Sequence, residues 1–148
     1  MLLATCGLVP RAQAAEPPAR SVLLLQSYDR GSALVQHLTD GVVSVLAKSR
    51  DFTFEYRFEY MGIFDADPSG WAEAYRRRLG ALRFDIVICA DAESLEFLVD
   101  NRSTLFPAVP IVFCNIDDFS LDMLNGESGI TGVTGELDFE GTIELAGR

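Results

Sequence analysis

Lysine is almost missing from this chain of 148 residues: eleven of its 12 basic residues are arginine, and only Lys48 is lysine. That scarcity argues against Schiff-base catalysis and against a P-loop phosphate clamp. Positive charge is short altogether, with 12 Lys+Arg against 22 Asp+Glu and a net charge of -10. The basic footprint of a nucleic-acid binder is therefore absent, and no nucleic acid is expected as a partner. No run of about 18 apolar residues occurs, so a membrane-spanning helix is excluded. The three cysteines, at 6, 89 and 114, show no C-x-x-C spacing, which indicates neither a zinc site nor a redox motif. The single histidine, His37, falls in mid-helix beside Leu38, whereas a catalytic triad would need it on a strand-end loop. What remains is 49% hydrophobic, 10% aromatic and 23% charged, the balance of a globular chain with room for about one domain.

Residues 1–15 (MLLATCGLVPRAQAA) combine a short apolar stretch with the A-x-A-like Ala12-Gln13-Ala14, and the Pro-rich Glu16-Pro17-Pro18 follows. This pattern predicts an export signal and linker over residues 1–20, without the usual positive n-region. The expected location is the periplasm or another extracytoplasmic compartment. Residues 21–148 form the expected domain.

Residues 21–26 (SVLLLQ), 84–90 (FDIVICA) and 111–114 (IVFC) are short, continuous apolar runs. Such runs fit strands covered on both faces in a parallel sheet. Residues 52–60 (FTFEYRFEY) instead alternate aromatic with polar side chains, a period of two that predicts a strand at or near an edge. Leu34, Val35, Leu38, Val42, Val45 and Leu46 recur at helical spacing, predicting a helix over 32–48. Asp67-Pro68 followed by Trp71, Tyr75, Leu79 and Leu82 predicts a second, ending near 82. Asp91 precedes Leu95, Leu98 and Val99 as a helix N-cap. Residues 115–125 read as a loop with a short helix, 130–134 as a fifth strand, and Phe139, Ile143 and Ala146 as the start of another helix. Strands alternating with helices imply a doubly wound parallel sheet, a three-layer α/β/α fold with right-handed crossovers.

In such folds ligands bind beyond the carboxyl ends of the strands. That rule selects Ser27, Tyr28, Asp29 and Arg30, then Tyr60 and Met61, Asp91 and Ala92, Asn115 and Asp117, and finally Gly135 and Glu136. Other features point to structure more than chemistry. Asp91 stands where a receiver domain is phosphorylated, but the acidic pair and the lysine of such a domain are missing, and an N-cap accounts for it. Gly129, Gly132 and Gly135 surround a strand and lack the spacing of a phosphate loop. The pairs Asp65/Asp67 and Asp117/Asp118 suit turns, and Arg76, Arg77 and Arg78 suit a solvated helix face. Cys89 and Cys114 end apolar runs, as small buried hydrophobes or as a disulfide between neighbouring strand ends. No nucleophile with a base is readable, so neither enzymatic turnover nor a cofactor or metal is expected. Flavodoxin-like or hydrolase chemistry and a purely docking module stand as rivals.

The order of Ser21-Val-Leu-Leu-Leu-Gln-Ser-Tyr28 with Asp29-Arg30-Gly31, then Phe84-Asp-Ile-Val-Ile-Cys-Ala-Asp91, Asn101-Arg102, Leu105-Phe-Pro-Ala-Val-Pro-Ile-Val-Phe-Cys-Asn115, Asp118-Phe119 and Gly132-Val-Thr-Gly-Glu136 resembles the ABC transporter substrate-binding protein family. This periplasmic-binding-protein-like type also serves as the sensor domain of bacterial histidine kinases. The resemblance implies a two-lobed protein that closes on a small, amino-acid-like solute without catalysis, this chain forming the N-terminal lobe up to the crossover. It implies contacts at Ser27, Tyr28, Asp91, Ala92, Asn115 and Glu136. It also implies a transporter permease, or a fused or associated membrane sensor kinase, as partner.

Overall fold

The structure is a computed structural model that describes residues 17–62 and 70–135, the Trp71 side chain excepted. Five strands, β1 (Ala19–Gln26), β2 (Thr53–Tyr60), β3 (Ile86–Cys89), β4 (Ile111–Ile116) and β5 (Ile130–Thr134), form one sheet in the order β2-β1-β3-β4-β5. Every pairing is parallel. Helices α1 (Ala33–Leu46), α2 (Trp71–Leu79), α3 (Ala92–Asp100) and α4 (Arg102–Leu105) and a 3-10 turn at Leu121–Leu124 make the connections. The doubly wound α/β class expected from the sequence is therefore the observed one.

The apolar runs explain the middle of the sheet. Leu23 and Leu25 of β1 face one side with Val87, Cys89, Ile111 and Phe113, where Tyr75 and Leu79 of α2 and Leu95, Leu98 and Val99 of α3 complete the larger core. Val22 and Leu24 face the other side with Ile88, covered by Val42 and Leu46 of α1 and by Phe54 and Tyr56 of β2. Both faces of β1 are thus shielded, and truncating one of these leucines to alanine would cost about 2–5 kcal/mol.

Strand β2 is at the edge, as its alternation predicts. Its polar face is not wholly solvated, however. Glu59 is only 4% exposed, accepting a hydrogen bond from Arg57 Nε at 2.8 Å and pairing with Arg78 of α2. Arg78 also lies over the Tyr75 ring, 5.1 Å from its centroid. Of the arginine triplet, then, Arg78 is a packing residue, while Arg76 and Arg77 pair with Glu73 within α2. Burial, with the Glu59 charge behind it, pushes the Tyr75 phenol up to about 12.

Helix α1 is two residues shorter than its periodicity at the C-terminal end and one at the start. Helix α2 ends at Leu79, before the expected Leu82, and its expected cap at Asp67-Pro68 lies outside the described residues. Asn115 belongs to β4 and not to the loop after it. It adopts a left-handed φ of 56°, and the pairing of β4 with β5 shifts register between Phe113 and Ile116, an irregularity that alternation alone does not encode. Gly132 permits the neighbouring pairing, because a Cβ there would lie 2.2 Å from the Phe113 carbonyl oxygen. Residues 1–16, Glu136 and the helix expected from Phe139 fall outside the described residues.

Candidate functional site at the carboxyl ends of β1, β3 and β4

Chain direction across the sheet reverses at β1, which has β2 on one side and β3 on the other. Connections leaving β1 and β3 depart to opposite faces, and the crevice between them is where open α/β sheets hold ligands. Ser27 follows β1 directly, and Asp91 stands two residues beyond the end of β3. The two meet. Asp91 Oδ2 accepts the Ser27 N–H at 2.9 Å, and its Oδ1 accepts the Ser94 N–H at 2.8 Å. The Ser94 hydroxyl in turn donates to the Asp91 carbonyl at 3.0 Å.

Asp91 therefore has two tasks at once. It caps α3, satisfying one of the amides that a helix start leaves open, and it fastens the backbone after β1 to the start of that helix. With 5% exposure, the carboxylate works chiefly by fixing the rim of the crevice; its remaining lone pairs are what a solute could meet. Ser27 is fully buried, and its hydroxyl has no partner among the described residues. Asn115, one strand further, directs Nδ2 toward the Ala90 carbonyl at 3.5 Å. Ser27, Asp91 and Asn115 thus lie toward the carboxyl ends of adjacent strands, Asn115 within β4 itself and not after it.

Tyr28 is half-buried at the same rim. The Glu93 charge, then burial, then the Asp91 charge hold its phenol above the ordinary value. Ala92 opens α3 and borders a trough of about 400 Å3 that runs past Glu93, Glu96 and Asp100 to Met123 and Asn125. Glu136 lies outside the described residues.

Cys89 and Cys114 flank this region as free thiols. Cys114 Sγ approaches the Cys89 carbonyl at 3.6 Å. Burial, with the Asp91 charge adding to it, pushes both thiols up, so neither has the low pKa of a reactive nucleophile. Among the described residues no group of three or more His, Cys, Asp or Glu side chains is placed to hold a metal ion, and no helix is long and apolar enough to cross a membrane.

These features define a three-layer α/β domain whose topological switch point lies between β1 and β3. No family model matches the chain, and no curated protein does. Among solved structures it is similar to one described as a conserved domain protein from Vibrio cholerae O1 biovar El Tor, with a TM-score of 0.53 and 20% identity. The match covers 86% of this chain and 42% of that one. It supports the fold, and the chain spans less than half the length of that neighbour.

Proposed function

We propose that the chain is the N-terminal lobe of an extracytoplasmic solute-binding protein of an ABC transport system, which holds a small solute between two lobes without transforming it. The observation that carries this reading is the Ser27–Asp91–Ser94 tie. It fixes the backbone at the switch point, beside the start of α3 and next to Tyr28, where open α/β sheets hold their ligands. A single lobe supplies half of such a cleft, and a chain spanning 42% of its structural neighbour is consistent with a lobe of a longer protein. The solute class suggested by the family resemblance is amino-acid-like.

The test uses the intact gene product and a panel of small polar solutes, read by the shift in thermal midpoint and then by calorimetry. A genuine ligand raises the midpoint through its preference for the folded state. Asn115→Ala and Tyr28→Phe, which leave the Asp91 tie in place, are each expected to weaken that ligand about tenfold, or roughly 1.4 kcal/mol. Unchanged affinity in the double variant would remove these strand ends from the binding site and the proposal with them.

A further inference from the structure

A cavity of about 460 Å3 lies beside the crevice, between α1 and the end of the edge strand, lined by Arg30, Gly31, Gln36, Thr39, Asp40 and Tyr60. Its volume is within the range of small-molecule sites. Arg30 and Asp40 carry opposite charges on this one space, yet neither forms an ion pair or side-chain hydrogen bond among the described residues, and the Gln36 carboxamide is equally unengaged. Behind the wall stands Gln26, 1% exposed at the end of β1. Its Nε2 donates to Thr39 Oγ1 at 2.8 Å, and that hydroxyl donates to the Val35 carbonyl at 2.8 Å. Gln26 Oε1 is left buried with no partner, the kind of acceptor that ordinarily finds a water or a donor from a guest.

We propose that this cavity binds a small zwitterion, its carboxylate on the Arg30 guanidinium and its ammonium between the Asp40 carboxylate and the Tyr60 ring. The planar fork of arginine suits a carboxylate, and a cation gains from an aromatic face as well as from a carboxylate. A guest with one charge would satisfy only one of the two free groups and leave the other facing it unpaired, so the pair selects for both charges on one molecule. The inference deepens the solute-binding reading and rests on it for its biological sense, but it places the charged contacts at Arg30, Asp40 and Tyr60, on the β2 side of the strand-end residues already described.

Three probes of one carbon length separate the charges: γ-aminobutyrate, butyrate and butylamine, each titrated into the 15N-labelled intact gene product. The zwitterion is expected to shift the amides of Arg30, Gly31, Gln36, Thr39, Asp40 and Tyr60, and to saturate at about tenfold lower concentration than either single-charge probe. Arg30→Gln is expected to abolish the advantage over butylamine, and Asp40→Asn the advantage over butyrate. Both side chains are exposed, so the variants keep the fold, checked by an unchanged spectrum elsewhere. Equal saturation by all three probes, or no shift from any, overturns the proposal. Shifts confined to Ser27, Tyr28, Asp91 and Asn115 also overturn it, while leaving the solute-binding reading of the strand ends standing.

Discussion

Two stretches of the same rim are built in opposite ways. At the ends of β1 and β3 both oxygens of a carboxylate are engaged by the chain's own backbone, Asp91 holding the amides of Ser27 and Ser94. Between α1 and β2, Arg30, Gln36 and Asp40 border a cavity and hold nothing among the described residues. Both stretches are polar, but one is a fastening and the other leaves its charged side chains unengaged among the described residues. Side-chain chemistry alone does not distinguish them; burial and partners do.

Breaking the fastening should have the largest effect. Asp91→Ala removes the N-cap of α3 and leaves the Ser27 amide buried without an acceptor, so a loss of about 2–4 kcal/mol in unfolding free energy is expected. Urea denaturation followed by circular dichroism measures it, and a loss below about 1 kcal/mol would show that the tie contributes little. Asn115 is the next test. Asn115→Ala places an alanine at φ 56° and should cost about 1–2 kcal/mol, whereas Asn115→Gly should regain most of that; equal stability of the two would mean that the left-handed backbone is not what constrains the position.

The electrostatics of the fastened side can be read through Tyr28, whose ordinary value is 10.0. Because the folded-state value is raised, the phenol favours the folded state in full below pH 10.0, and that contribution is lost as pH rises through the folded value. The Glu93 charge is the largest cause. Glu93→Gln should therefore lower the alkaline midpoint of this tyrosine, visible in an absorbance titration against Tyr28→Phe as the blank; an unmoved midpoint would assign the shift to burial and Asp91 instead. The smallest effect belongs to the open side, where Arg30→Gln and Asp40→Asn should each change unfolding free energy by less than about 0.5 kcal/mol. A larger loss at either position would make that side structural too and erase the contrast.

The sequence carried the fold well where one physical signal dominated. Doubly covered strands require uninterrupted apolar side chains, and SVLLLQ and IVIC announce β1 and β3 on that ground. The alternation of FTFEYRFEY announces an edge. Asp91 ahead of a helical face announces a cap, which the Ser94 amide fills. What the spacing did not contain was contact between remote elements. That the same carboxylate also holds Ser27, 64 residues earlier, depends on strand order, and so does the burial of Glu59 against Arg78. The strand-end rule reached Arg30 and Tyr60 but not Gln36, Thr39 and Asp40, because these sit along the side of α1 and join the cavity only when that helix packs beside β2. Hydrophobicity puts Asn115 in a loop because a left-handed residue within a strand leaves no pattern there.

The span of the Asp91 tie also sets a timetable for synthesis. Ser27 emerges from the ribosome 64 residues ahead of the acceptor that fixes its amide, and at translation rates of about 5–20 residues per second that interval is roughly 3–13 s. Through most of it β1 lacks β3 and α3, and Leu23 and Leu25, fully shielded in the finished fold, have yet to meet the residues that cover them.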